Sequence, residues 1–110
     1  MSTRTPVTDR AETLLATFQA LSDANRLRIV DILRGGERCV CQLVEVLGIS
    51  QPLLSHHLKT LKDAGLVRDR RDGRWAHYAL VPESLEAIKA FLSDVREDAE
   101  SAPPNLYRCS

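Results

Sequence analysis

The chain has 110 residues, no formal net charge, 44% hydrophobic and 27% charged residues, which leaves room for one domain around one core, with short tails. No apolar run approaches the roughly 18 residues needed to cross a bilayer, and Met1–Pro6 lacks the apolar centre of a signal peptide, so the sequence excludes a helical membrane span and predicts a cytoplasmic protein. Three cysteines, Cys39, Cys41 and Cys109, are too unevenly placed for a disulfide scaffold in a reducing compartment; a close pair and a remote thiol suggest soft-ligand or redox chemistry, with buried packing as the plain alternative.

Residues 1–8 read as a disordered arm. From Asp9 to Leu21 the apolar Leu14, Leu15, Phe18 and Leu21 recur at helical spacing. Ser22 is placed to cap a second helix that runs to about Arg34, with Leu27, Val30 and Leu33 inward, and Gly35-Gly36 ends it. A third, short helix runs from near Cys41 to Leu47, presenting Leu43, Val46 and Leu47, until Gly48 stops it.

The fourth helix starts most clearly. Ser50 is a good N-cap, and Pro52 sits in the first turn, where a missing N–H does no harm. Leu54, Leu58 and Leu61 follow as a buried stripe, and Gly65 closes the helix. Helix, glycine joint, helix is the pattern of a helix-turn-helix.

Beyond it the period becomes two. Leu66–Arg71 and Arg74–Leu80 read as strands around Asp72-Gly73, the signal of a two-residue type I′ hairpin. After Pro82 a last helix runs to about Glu100, with Leu85, Ile88, Phe91, Leu92 and Val95 on one face. Residues 101–110 form a flexible tail carrying Cys109. The predicted fold is mainly α with a small β-hairpin, a winged helix-turn-helix of order ααααββα over residues 9–100.

Charge is unevenly distributed. Between residues 50 and 80, Lys59, Lys62, Arg68, Arg70, Arg71 and Arg74 outnumber Asp63, Asp69 and Asp72, and all three histidines lie there too. Such a segment can bind phosphate on a neutral chain. Opposite the leucine stripe, the fourth helix carries Ser55, His56 and Lys59, with Ser50 and Gln51 at its leading end, where a recognition helix meets base edges. Lys62 follows one turn on, and Arg70, Arg71 and Arg74 tip the hairpin for backbone or minor-groove contact. A solvated polar face is the plainer explanation of any one of these features, but their combination inside a helix-turn-helix points to double-stranded DNA. His57 lies beside the stripe and reads as a packed, hydrogen-bonded residue; Trp75 and Tyr78 read as hairpin packing.

Five stretches, Leu21–Leu27, Glu37–Leu43, Ser50–Leu58, Ala64–Val67 and Gly73–Tyr78, together resemble the ArsR/SmtB repressors. The resemblance covers roughly residues 12–95 with the order of motifs intact. It implies a homodimer built through the first and last helices, with Leu14, Phe18, Leu85, Ile88, Phe91, Leu92 and Val95 as candidate dimerisation residues, that represses an operon by binding operator DNA until an inducer arrives, and Cys39-Val40-Cys41 resembles the inducer site of the arsenic-responsive members. As(III) or Sb(III) is then the expected inducer, with no organic cofactor and no catalysis. The pattern departs from the best-known members in having Val44 where they carry a third cysteine, and no cysteine in the N-terminal arm. The last helix holds no histidine, against the zinc sites of other members.

Thiolates suit soft centres. Two residues at i and i+2 of one helix stand roughly 200° apart, so a shared ligand is expected to unwind the start of the third helix and, through Gly48-Ile49, to shift the reading helix. Cys109 can reach the pair as a third ligand, within one chain or across the dimer, since ten tail residues span up to roughly 33–36 Å; two-coordinate binding and a third ligand from solvent stay equally open. A thiol-redox or persulfide sensor on the same fold is the alternative. A thiol oxidoreductase lacks support, having no Cys-x-x-Cys or acid–base set.

Overall fold

In the computed structural model, which describes residues 6–108, helix α1 spans Pro6–Leu21. It starts inside the segment expected to be a disordered arm, and the reason is Pro6: its fixed φ and missing N–H suit the first helical position. Helix α2 spans Ala24–Leu33 and is capped by Asp23 rather than Ser22. The Asp23 carboxylate accepts from the backbone N–H groups of Asn25 and Arg26 at 2.8 and 3.1 Å, and its charge suits the positive end of the helix. Ser22 instead donates to the Phe18 carbonyl at 2.8 Å. Ile29 and Leu33 form the buried face of α2. Leu27, expected inward, is 53% exposed, because a helix that turns Ile29 to the core turns its i−2 neighbour away.

A two-residue strand, β1 (Arg38–Cys39), precedes α3 (Val40–Leu47) and adds an element to the hairpin-only expectation. In α3, Leu43 and Leu47 are buried, while Val46 faces out. Gly48 ends it in the left-handed region with φ 66°, a conformation that glycine adopts without a Cβ penalty. Helix α4 covers Gln51–Asp63; Ser50 caps it as expected, accepting from the Leu53 N–H at 3.3 Å. Leu54, Leu58 and Leu61 are all buried, as is His57.

Strands β2 (Val67–Asp72) and β3 (Trp75–Leu80) form the hairpin, and β1 joins the far side of β3 to give the order β1-β3-β2. Asp72 pairs with Trp75, so the loop is Gly73-Arg74 rather than Asp72-Gly73. Only Gly73 of those two has positive φ, which matches a type II′ turn instead of the expected type I′. Across the sheet Cys39 stands opposite His77, and His77 opposite Arg70.

Ile29, Leu33, Leu43, Leu47, Leu54, Leu58, Leu61, Leu66, Val67 and Ile88 make one core, so α2, α3, α4, the base of the wing and the last helix are held by the same apolar cluster. That helix, α5, spans Pro82–Ser101 and meets α1 through an edge-on contact of Phe18 and Phe91, ring centroids 6.3 Å apart. The radius of gyration, 18.4 Å, exceeds the roughly 13 Å of a compact chain this long. The chain does not close upon itself. Leu15, Leu92 and Val95 stay about half exposed on α1 and α5, whereas Leu14 and Ile88 of the expected dimer face are buried within the chain.

Candidate functional site

Cys39 is the residue before α3, not a residue of it. Its backbone is extended, with φ −79° and ψ 156°, because it is paired with β3 through β1. Its N–H is taken by the Gln42 side-chain oxygen at 2.9 Å, closing the helix start. Cys41 lies on the first turn, and the two Cα atoms are 5.4 Å apart with the sulfurs joined as a disulfide. The roughly 200° separation behind the expected unwinding assumed two helical residues, and Cys39, extended at the cap, is not one of them. Cys39 is buried and Cys41 exposed. Cys109, the third expected ligand, lies outside the described residues.

Cys41 lines two cavities. One is shared with Cys39, Gln42, Asp72, Trp75 and His77. The other is shared with Gln51 and Ser55 of α4 and with Arg71, Arg74 and Trp75 of the wing. The thiol pair thus sits where α3, the leading end of α4 and the hairpin meet. The sequence left His77 without a role; its place opposite Cys39 becomes visible only once β1 is known.

On α4, Ser55, His56 and Lys59 are exposed together on the side away from the leucine stripe, with Ser50 and the exposed Gln51 at the leading end. The wing presents Arg71 and Arg74, and the Arg74 guanidinium stands 6.0 Å from the centre of the Trp75 ring. Three other expected contact cations have partners within the chain: Lys59 with Asp63 at 2.9 Å, Lys62 with Asp69 at 2.9 Å, and Arg70 with Glu37 at 2.7 and 3.1 Å. His57 is buried, as expected, with Arg26 Nη1 3.2 Å from its Nδ1. Arg26 also donates to the Ala20 carbonyl at 2.6 Å, so one guanidinium ties the end of α1 to α4.

The Arg70–Glu37 pair links the wing to the residue two before Cys39. The hydrogen bond from Arg70 holds the Glu37 carboxyl below its ordinary value of 4.5. A carboxyl with a lowered folded pKa contributes stability above its unfolded value and loses it as pH falls through the folded one. The Glu37 side chain should therefore titrate below 4.5 by carboxyl-carbon NMR, and Arg70→Ala should return it to that ordinary range. An unchanged midpoint in the variant would show that the pair does not persist in solution.

The segment 23–69 matches the family described as "Bacterial regulatory protein, arsR family". The chain is 48% identical over 83 residues to the "Arsenical resistance operon repressor" of Escherichia coli, covering 74% of this chain and 68% of that one. It is 43% identical over 79 residues to "Arsenic resistance transcriptional regulator ArsR1" of Pseudomonas putida, covering 71% of this chain but only 62% of the relative's length. Among solved structures, a crystal structure described as an ArsR family transcriptional regulator superposes with a TM-score of 0.78 at 28% identity, covering 94% of this chain and all of that one. A homodimeric winged helix-turn-helix domain from Mycobacterium bovis, solved by NMR, gives 0.69 at 25% identity over 97% of this chain.

Proposed function

The chain belongs to the arsR family of bacterial transcriptional regulators, and from that premise we propose that it represses by binding operator DNA as a homodimer and lets go when Cys39 and Cys41 take up As(III) or Sb(III). One observation carries the reading: Cys41 borders both the Cys39 cavity and the cavity formed by Gln51, Ser55, Arg71 and Arg74. The thiol pair and the DNA face are one neighbourhood. Cys39 stands at the cap and Cys41 on the first turn, with Cα atoms 5.4 Å apart, so both side chains can reach one thiophilic centre with the body of the helix intact. A ligand shifts the equilibrium between DNA-bound and free forms only by its differential affinity for the two. Here the lever is β1. Cys39 is hydrogen-bonded into the sheet beside His77, so pulling its sulfur moves β3 and the wing relative to α4.

Gln51, Ser55 and His56 read bases, with Ser50 at the helix entrance, while Lys59, Lys62, Arg71 and Arg74 meet phosphates. Arg70 contributes to the field of the wing while bound to Glu37. Arg74→Ala should flatten the slope of log affinity against log salt by about one unit, the loss of one phosphate contact, whereas Gln51→Ala and Ser55→Ala should change base preference instead. A mobility shift on the DNA upstream of the gene, run over a salt series, tests this. An unaltered slope in Arg74→Ala would place the DNA on another surface.

The second subunit covers the half-exposed Leu15, Leu92 and Val95, next to the partly buried Phe18, Leu85 and Phe91, while Ile88 anchors α5 to the core and Leu14 is buried within the chain. Val95→Glu together with Leu92→Glu should yield a folded monomer by sedimentation velocity, with operator affinity falling steeply because half-sites are no longer joined. A wild-type monomer that binds half-sites would remove the dimer.

The disulfide between Cys39 and Cys41 favours one second reading, a repressor released by thiol oxidation. Adding peroxide or a persulfide in one arm and arsenite to the reduced protein in the other separates the two.

A further inference from the structure

We propose that His77 is a third donor to the Cys39/Cys41 site, so that the reduced chain also binds a divalent cation of the Cd²⁺ and Zn²⁺ class through two thiolates and one imidazole. The proposal rests on reading Cys39 and Cys41 as a ligand pair, and it adds a residue and a second class of ligand to that pair.

The register of the sheet carries it. Cys39 and His77 are direct partners across β1 and β3, and such partners share a face with Cβ atoms about 4.5–5.5 Å apart. A cysteine sulfur and a histidine nitrogen reaching from that separation can meet one cation at the usual distances, about 2.3 Å for sulfur and 2.0–2.1 Å for nitrogen. The cavity that holds both cysteines is lined by His77 as well, with Asp72 on the same wall. Among the described residues no hydrogen bond occupies the His77 ring, in contrast to His57, which Arg26 engages.

The donor set then decides the class of ligand. Trivalent arsenic is satisfied by thiolates, and a nitrogen adds little to it. Two thiolates with an imidazole make a mixed set that suits borderline and soft divalent cations. Asp72 or water completes four-coordination.

In this structure the sulfurs are bonded to each other, and among the described residues no three histidine, cysteine or acidic groups are already gathered around a metal position. The site forms on reduction. Two molecules of a small thiol give two electrons and two protons to the disulfide, leaving two cysteine thiols and one oxidised thiol dimer. Cation uptake then releases those two protons from the cysteines. The His77 ring supplies a lone pair and is neither oxidised nor reduced.

The test uses the reduced full chain, wild type and His77→Ala, titrated with Cd²⁺ against a competing chelator, and separately with arsenite. Wild type should show a sulfur-to-cadmium absorption band, and His77→Ala should bind Cd²⁺ at least about tenfold more weakly while its arsenite curve overlays wild type. In case the variant fails to fold, long-range ¹H–¹⁵N spectra of the wild-type ring should show one His77 nitrogen shifting on Cd²⁺ addition. Equal Cd²⁺ affinity in the folded variant, or unshifted His77 nitrogens, would overturn the proposal and leave the thiolate reading standing. Wild-type binding of neither Cd²⁺ nor arsenite would overturn both.

Discussion

Cys39→Ser and Cys41→Ser should each fold, dimerise and occupy the operator, yet need about 10²–10⁴ times more arsenite than wild type to leave it, the factor by which a second tethered contact raises affinity. Folding should survive for reasons specific to each position. Cys39 is the cap residue of α3, and serine is among the best residues there. Cys41 is exposed, so its replacement leaves no cavity. What each variant loses is the second sulfur, which in wild type is already placed on the same side as the first. Cys109→Ser separates two forms of the site: a curve shifted to higher arsenite makes the tail a ligand, and an overlay with wild type leaves the pair to act without it. Fluorescence anisotropy of labelled operator measures all three. Normal release from a Cys39/Cys41 double variant would remove the sensor assignment and leave only DNA binding.

Leu58→Ala is expected to be strongly damaging to the fold. Leu58 is 1% exposed and belongs to the one apolar cluster shared by α2, α3, α4 and the base of the wing. Such truncations cost about 2–5 kcal/mol, against a total of roughly 5–15 kcal/mol for a typical domain. The melting temperature should fall by about 10 °C or more. Because Leu58 also seats the reading helix, operator affinity should fall with it, while Leu53→Ala, on the exposed side of α4, should change the melting temperature little. Similar melting temperatures for the two variants would mean that the stripe is not the anchor of α4.

The elements most legible in the sequence were those whose signals are local. Ser50 with Pro52 marked the start of α4, the Leu54/Leu58/Leu61 spacing marked its buried side, and Gly48 marked the end of α3. Each depends on backbone geometry within one turn. The exposed Gln51, Ser55, His56 and Lys59 followed from the same helical spacing.

Features that depend on distant partners were not legible. Nothing in Arg38-Cys39 alone announces a strand, since two residues are too few for a period and the pairing partner lies far along the chain at His77 and Tyr78. Missing that strand led to both cysteines being placed on the helix. It also hid the place of His77 opposite Cys39 and the capture of Arg70 by Glu37. The hairpin loop shifted by one residue because Asp-Gly and Gly-Arg both offer a glycine for positive φ, and only the Asp72–Trp75 pairing decides which two residues turn. Leu27 and Val46 were expected inward because leucine and valine count equally toward periodicity wherever they fall. The core selects Ile29 in α2 and, of the three residues expected in α3, only Leu43 and Leu47.

The central claim is that one neighbourhood joins thiol chemistry to DNA release, and anisotropy of reduced wild-type protein on its own upstream DNA, titrated with arsenite, tests it most directly. The account predicts salt-dependent binding that is reversed as arsenite saturates the cysteine pair, and restored when a dithiol competitor removes the arsenite. Binding that persists with arsenite on both cysteines, verified by counting sulfurs with X-ray absorption at the arsenic edge, would contradict it.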